Sequence, residues 1–472
     1  MANIKNLFLT LTFVLTVFIG QSQTIVLPNL ASNALRSTAE DVASLLNRAT
    51  ANQHYSVTTT SAANAAFLLI YDTTITNNQT CKVQRINNQL VFRAAEDNGL
   101  IFGLYQYLHQ LGFKFYQPGS IWEVIPALSQ TLITRDTTYS SAFVYKTWFI
   151  SGGYQAWKMD NQTQYFWESY GGENGHQWAQ YQRRNGMLGA NRFNGHRGDL
   201  MGGDYLQTLR DNPCYVANYN GSRTANVQSV PDVNNAQAMQ SWSEAIRKQY
   251  AQYTQIVSNN PTIYPDLSHS LKYNYQHVGI EVPDGALWAN TVGGSCNNGN
   301  LLSESDQQFK LANNTANDLL QSFAGKRFQV YAYDAHANTP AAAIGVHPAL
   351  DVQVVPTAFQ FETSSKTLLK RWYTASTHVS EYHYLNIPQW SGETPSFHLT
   401  SLKQTLQRLT EQRSQGIVWE AGVSKFATLP YLLAANNQLL YQQPVDQTLE
   451  NFCTDMFGNA APAVLQLLKA WS

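Results

Sequence analysis

The 472-residue chain is short of charge. Only 13% of its residues are Asp, Glu, Lys or Arg, 30 basic against 31 acidic, for a formal net charge of -1. Ordinary globular chains carry about 25%. Neither sign is in excess, which excludes the basic face of a nucleic-acid binder and an electrostatically steered acidic partner. Disorder is excluded too, because 44% of the residues are hydrophobic. Cysteine is scarce: Cys81, Cys214, Cys296 and Cys453 lie far apart with no CxxC pair, which argues against zinc. Buried free thiols are the favoured reading, ahead of a Cys214–Cys296 disulfide joining two loops. Several signatures are missing altogether. There is no GxGxxG or P-loop lysine for a nucleotide, no HxH or HExxH for a catalytic metal, and no GxSxG nucleophile elbow. No cofactor is called for.

What is abundant is aromatic and neutral. Aromatics make up 12%, with 11 Trp and 26 Tyr. The polar surface must then be built from Asn, Gln, Ser and Thr, which suits an uncharged polar ligand such as a sugar. The N-terminus, residues 1–22, has Lys5 ahead of an apolar run from Leu7 to Ile19 and then Gly20, Gln21 and Ser22. That order is a secretory signal peptide. The run is shorter than the ~20 residues of a membrane span, and no later segment is apolar enough to cross. The expectation is export, to the periplasm or outside the cell.

Residues 23–140 read as a small α/β unit. Ala65 to Tyr71 is a buried-strand run, and Val83 to Ala94 a hairpin turning at Asn87-Asn88. Asp97 is placed as the N-cap of a helix striped by Leu100, Leu104, Leu108 and Leu111 and closed by Gly112. From about Tyr145 strands alternate with long helices over almost 300 residues, the pattern of parallel strands with helical crossovers. Without a phosphate fingerprint, a (β/α)8 TIM-type barrel over residues 141–440 is favoured over a doubly wound sheet. Residues 441–472 form a short helical C-terminal segment.

Barrel active sites sit at the C-terminal ends of the strands. Carboxylates fall at three such predicted ends: Glu281 and Asp284 in VGIEVPDGA, Asp334 in VYAYDAHANTP, and Glu420 in GIVWEAG. Glycoside hydrolysis uses two carboxyl groups across the scissile bond. Glu420 is the first choice, as nucleophile or base, beside Trp419 as an apolar neighbour. Its partner as acid is Glu281 or Asp284, of which strand alternation lets one face the mouth. Tyr333, Asp334, His383, Tyr384 and Trp390 are candidate sugar contacts, as is Trp148, which clusters with Tyr154 and Trp157. Arg192, Asn194, His196 and Arg197 form a polar loop that reads either as a further contact or as solvated surface.

Several of these segments resemble known families. Residues 93–119, RAAEDNGLIFGLYQYLHQLGFKFYQPG, are similar to the small α/β domain that precedes the barrel in α-glucuronidases, β-hexosaminidases and α-N-acetylglucosaminidases. The barrel half resembles the bacterial domain of unknown function 4838 found in polysaccharide-utilisation proteins. The matching pieces are VPDG at 282–285, VYAYDAHANTP at 330–340, YHYLNIPQW at 382–390, GIVWEAG at 416–422 and the C-terminal FCTDMFGNAAPAVLQLLKAW. That family has a cysteine cluster after the Asp-Gly pair, where this chain keeps only Cys296. The resemblance implies a carbohydrate-active barrel and names no sugar. The expectation is therefore an exported glycoside hydrolase with a carbohydrate substrate. The rivals are a glycan-binding protein on a degenerate barrel, which keeps the aromatics and loses the carboxylate pair, and a purely structural barrel.

Overall fold

A computed structural model describes residues 21–470 apart from 52, 61–64, 78, 130–135, 142, 144, 151–179, 188–203, 260–277, 294–295, 297–298, 357–364, 386–398, 413 and 422–428. The expected leader lies outside these residues except for Gln21 and Ser22, which already pair in the first strand.

The first sheet is mixed and six-stranded. It uses β1 (Gln21–Val26), β2 (Gln53–Thr58), β3 (Ala65–Tyr71), β4 (Thr80–Ile86), β5 (Gln89–Ala94) and β8 (Thr137–Ser140), in the order β2-β1-β3-β5-β4-β8. β1, β2, β3 and β5 run parallel, and β4 is antiparallel to both β5 and β8. The β4–β5 hairpin turns through Asn87 at φ 56°, a left-handed position that asparagine tolerates. Two helices, α1 (Asn33–Ala49) and α2 (Asp97–Gln110), pack on it and on each other. Ser32 caps α1 by accepting from the Leu35 N–H at 3.2 Å. Asp97 is not the cap of α2, contrary to expectation. Glu96 takes that position, and Asp97 is fully buried, accepting from the Ser32 N–H at 2.9 Å and from the Tyr71 hydroxyl. The carboxylate is thus spent on tying α2 to α1 and β3. Gly112, at φ 99°, ends the helix as expected. A two-stranded ribbon of β6 (Lys114–Phe115) and β7 (Glu123–Val124) follows.

The second sheet is parallel throughout. Its strands are β9 (Tyr145–Ile150), β10 (Val278–Gly279), β11 (Phe328–Ala332), β12 (Leu350–Val354), β13 (Val379–Leu385) and β14 (Gly416–Ala421), in the order β10-β11-β12-β13-β14-β9. The first strand in sequence therefore lies beside the last. The result is a curled parallel sheet, a half-barrel, within a mixed α/β fold; the described residues hold these six strands of it. Helices cross between its strands. α3 (Asp204–Asp211) and α4 (Ala236–Asn259) precede β10, and α5 (Glu304–Leu320) follows it. α6 (Ser365–Ala375) and α7 (Leu399–Glu411) come before β13 and β14. Ser303 caps α5 by accepting from the Asp306 N–H at 3.1 Å, as its spacing implies.

The strand pattern is legible in its packing. Phe328, Val330, Leu350, Val352, Val354 and Val379 are buried against the helices in one apolar core with Trp242, Phe309 and Trp372. The alternate residues, Tyr331, Tyr333, Val355, Tyr382, Tyr384 and Val418, form a separate cluster on the other face. The chain finishes in α8 (Leu429–Tyr441), α9 (Val445–Phe457) and α10 (Ala461–Ala470). Leu449 and Phe452 of α9 share a continuous core with the first sheet. Arg184 bridges Asp41 and Glu123 at 2.6 Å each in the same seam.

Cys214 and Cys296 are disulfide-bonded, with Cα atoms 5.4 Å apart. This corrects the free-thiol reading for that pair: the loops carrying the two residues fold together, with Asn218 accepting through its carbonyl from the Asn290 N–H at 3.1 Å. Cys81 and Cys453 are buried free thiols, as expected. Among the described residues no helix is long and apolar enough to cross a membrane.

Candidate active site

The inward face of the curled sheet carries a ladder of tyrosines that ends on one carboxylate. Glu420 lies in β14, paired in register with Tyr384 of β13 on one side and Phe149 of β9 on the other. It is 9% exposed and accepts a hydrogen bond from the Tyr382 hydroxyl. The Tyr382 and Tyr384 rings lie 5.3 Å apart, and Tyr331 meets Tyr382 edge-on at 5.9 Å. Tyr384 is in turn hydrogen-bonded to Tyr333. Burial, and then the nearby Glu420 charge, push the Tyr382 and Tyr384 phenols well above their usual range. Both remain proton donors at any working pH.

Tyr333 joins this ladder to the neighbouring strand ends. Its phenol is raised first by burial, then by the carboxylates of Asp284, Asp334 and Glu420. Three of the four carboxylates expected at strand ends therefore converge on one phenol. Asp284 is exposed, in a turn whose next residue, Gly285, sits at φ 67°, the left-handed region. A side chain is strained at that φ, and its Cβ would displace the Gln228 amide. Asp334 is also exposed and holds φ at 45° without being glycine, a strained conformation that opens the short turn Asp334–His336.

Glu281 is the fourth carboxylate, and its oxygens are occupied. Oε2 accepts from the Tyr331 N–H at 2.6 Å and from Gln308 Nε2 at 3.1 Å, while His336 Nε2 lies 3.2 Å from Oε1. The side chain is 2% exposed. It takes over the ladder where β10 stops and ties β11 to α5. Of the two carboxylates left open by sequence, Asp284 is the one whose charge bears on Tyr333.

The remaining expected contacts divide by strand face. His383 points away from Tyr382 and Tyr384, on the same face as Glu381. It is 2.7 Å from Glu381 Oε2, with its ring 5.2 Å from Trp419. Glu381 is fully buried and also accepts from Arg408 at 2.6 Å and Tyr373 at 2.8 Å. Burial alone would raise its carboxyl, but His383 and Arg408 override this and hold it at about 2. This is a helix-to-sheet clamp with no access to the mouth. Trp148 and Trp419 pair in register on that same outer face, at 0% and 1% exposure, with Trp148 packed 5.4 Å from Tyr181. Trp148 and His383 thus belong to the packing, and Trp419 shields the back of its strand rather than Glu420. Arg192, His196 and Trp390, with Tyr154 and Trp157, lie outside the described residues. Tyr331 was not singled out from sequence, and Tyr382 stood out only as a member of the aromatic run with His383, Tyr384 and Trp390. The period-two spacing of Tyr331 with Tyr333, and of Tyr382 with Tyr384, is the signal that finds them. Among the described residues no group of His, Cys, Asp and Glu is arranged to hold a metal.

Comparison with known proteins follows the same lines. The family described as Domain of unknown function (DUF4838) matches residues 118–469. No curated protein matches the chain in sequence. Among solved structures, a family GH115 4-O-methyl-α-glucuronidase with specificity for decorated arabinogalactans is similar with a TM-score of 0.55 and 11% identity, over 95% of this chain and 61% of that one. A β-N-acetylhexosaminidase from Bacteroides fragilis is similar with a TM-score of 0.50 and 12% identity, over 96% of this chain and 92% of that one. At such identities the likeness is one of fold. The chain spans about three-fifths of the GH115 structure.

Proposed function

We propose that this chain, which belongs to the DUF4838 family, is an exported glycoside hydrolase whose catalytic pair is Asp284 and Glu420. The observation that carries the reading is the electrostatic convergence of Asp284 and Glu420 on Tyr333 at the open end of the curled sheet. Its fold is that of glycoside hydrolases, two of which are named above. Export is supported by the leader-like residues 1–22 and by the Cys214–Cys296 disulfide, a bond of oxidising compartments.

In this mechanism Asp284 protonates the leaving oxygen and Glu420 acts as nucleophile or as the base that activates water. The roles follow from surroundings. Glu420 is buried and accepts a hydrogen bond from the Tyr382 hydroxyl, which favours its charged form, the form a nucleophile or base needs. Asp284 is exposed, on a turn, where a leaving group departs to solvent. Tyr333 and Tyr384 offer phenols to sugar hydroxyls and faces to the C–H side of the ring. Asp334, at the rim, accepts from a further hydroxyl.

A hydrolysis screen on aryl glycosides and plant or host glycans tests the proposal. Asp284→Asn and Glu420→Gln are each expected to lower kcat on the order of 10²–10⁴-fold. Activity that survives both substitutions refutes the assignment. Glycan binding with no hydrolysis on any substrate supports the rival reading, a binding protein on a barrel that no longer cleaves.

A further inference from the structure

Of the eight large hydrophobic side chains exposed among the described residues, four lie in two loops. Tyr219 and Val227 are in residues 213–235, Val292 and Leu301 in residues 285–303. The charge of these loops is just as unusual. Arg223 and Asp232 are the only charged residues in the two segments, and they pair with each other at 2.9 Å, 12% and 3% exposed. The remaining surface is amides, hydroxyls and apolar groups. Single exposed apolar residues need no explanation, but a set gathered on one charge-free module marks a binding surface.

The module is built to hold its shape. The Cys214–Cys296 disulfide joins the two loops. Asn220 and Gly221, at φ 51° and 80°, close a two-residue hairpin in which Tyr219 and Ser222 exchange backbone hydrogen bonds at 3.0 and 2.9 Å. The Asn218 carbonyl accepts from the Asn290 and Thr291 N–H groups at 3.1 and 3.3 Å, and its Nδ2 donates to the Gly293 carbonyl at 3.3 Å. These bonds lay the hairpin that carries Tyr219 along the segment that carries Val292. Gln307 of α5 pins the same segment, its Nε2 donating to the carbonyls of Ala289 and Leu302 at 2.8 and 2.9 Å. Val227 precedes Gln228, whose carbonyl accepts from the Leu287 N–H at 3.0 Å and whose side-chain amide lies against Gly285. The module therefore begins beside Asp284 and is continuous with it.

We propose that these two loops are an extended glycan-binding surface, which holds the sugars beyond the one whose bond is cleaved, so that the substrate is an uncharged oligo- or polysaccharide chain. The inference rests on Asp284 being one of the catalytic pair. A sugar chain alternates C–H faces with hydroxyls, and the module offers the same alternation. Tyr219 is followed by Asn220, Val227 lies between Asn226 and Gln228, and Val292 follows Thr291, all of them exposed. Arg223 is held by Asp232 and by the Val216 carbonyl, so a uronic or sulfated chain finds no cation on these loops to pair with.

Isothermal titration tests this on full-length protein carrying Glu420→Gln, which prevents turnover. The probes are cellohexaose, xylohexaose, mannohexaose and laminarihexaose, each beside its own disaccharide. At least one hexasaccharide is expected to bind tenfold or more tightly than its disaccharide. Adding Tyr219→Ala, Val227→Ser and Val292→Ser together is expected to erase that advantage and leave disaccharide binding within twofold. Tyr219→Ala alone is expected to lose part of it, and covers the case in which the triple variant folds poorly, while Tyr219→Trp retains it. Equal affinity for long and short sugars before the loops are altered, or an advantage that survives the triple variant, overturns the proposal. So does a dimer in ultracentrifugation that the triple variant dissociates, since the face is then an interface between copies. Hydrolysis is read separately on aryl glycosides: an active Asp284→Asn protein sinks the catalytic assignment, while the length dependence of binding still decides this one.

Discussion

Lys146 is a buried lysine without a carboxylate, and its cost is measurable. It lies in β9, 1% exposed, on the strand face away from the tyrosines. Its ammonium donates to Gln79 Oε1 at 2.7 Å and Ser141 Oγ at 2.9 Å and sits 5.7 Å from the Phe102 ring. Burial pushes its pKa from 10.5 down to about 7. In the unfolded chain it titrates near 10.4. Between those values the unfolded state holds a proton that the folded state has shed, so stability rises with pH, at up to about 1.4 kcal/mol per unit. Below about pH 7 both states are protonated and the contribution is flat. From pH 7 to 9 the gain is about 2 kcal/mol, since the folded lysine is half protonated at the start of the interval. Urea unfolding of the wild type and of Lys146→Met at pH 6, 7, 8 and 9 isolates the effect. The packing change is independent of pH, and every other group titrates alike in both proteins. The wild-type minus variant difference is expected to climb by about 2 kcal/mol between pH 7 and 9 and by only a few tenths of a kcal/mol between pH 6 and 7. A difference that is flat across the whole range refutes the argument.

Other outcomes follow from single contacts. Tyr382→Phe removes the proton donated to Glu420 and is expected to lower kcat roughly tenfold to a hundredfold with little change in KM, read on an aryl glycoside that the wild type cleaves. Cys214→Ser with Cys296→Ser opens a loop of 82 residues, and denaturant unfolding should show a loss of about 4 kcal/mol that dithiothreitol reproduces in the wild type. Trp148→Ala is expected to destabilise by about 3–5 kcal/mol, as a deleted core aromatic does, while glycan affinity of the folded fraction is unchanged. Glu381 is held at about 2, below its unfolded value, so its stabilising effect is complete above about pH 4.5 and fades as pH falls toward 2. Glu381→Gln should flatten that stretch of the acid-stability curve, measured by thermal melts.

Much of the architecture is legible in the residues themselves. The leucine stripe of α2, the Ser303 cap of α5, the Asn87-Asn88 turn and the alternation from Tyr145 onward each arise within a few residues, and local geometry enforces them. The strand-end carboxylates are local in the same sense, since a strand boundary and its last polar residue lie side by side in sequence. The tyrosine ladder was half legible: the aromatic run Tyr382-His383-Tyr384 stands out, but a single run does not say which members share a face with Glu420.

The sequence by itself determined that strands and helices alternate, that the chain is neutral and aromatic, and that Glu420 falls near the end of its strand, with Asp284 before a glycine in the turn beyond another. Tertiary structure alone decided which faces those strands present. Parallel strands are buried on both sides, and every residue of β11 and β12 is buried whichever way it points, so burial along the strand carries no inward or outward label. Only the packing of α7 and the first sheet on one side turns Trp148, His383 and Trp419 outward and leaves Tyr331, Tyr382, Tyr384 and Glu420 within. The same holds for Cys214 and Cys296, whose meeting depends on two loops 82 residues apart, and for Glu281, whose three hydrogen-bond donors come from β11, from α5 and from the turn at His336.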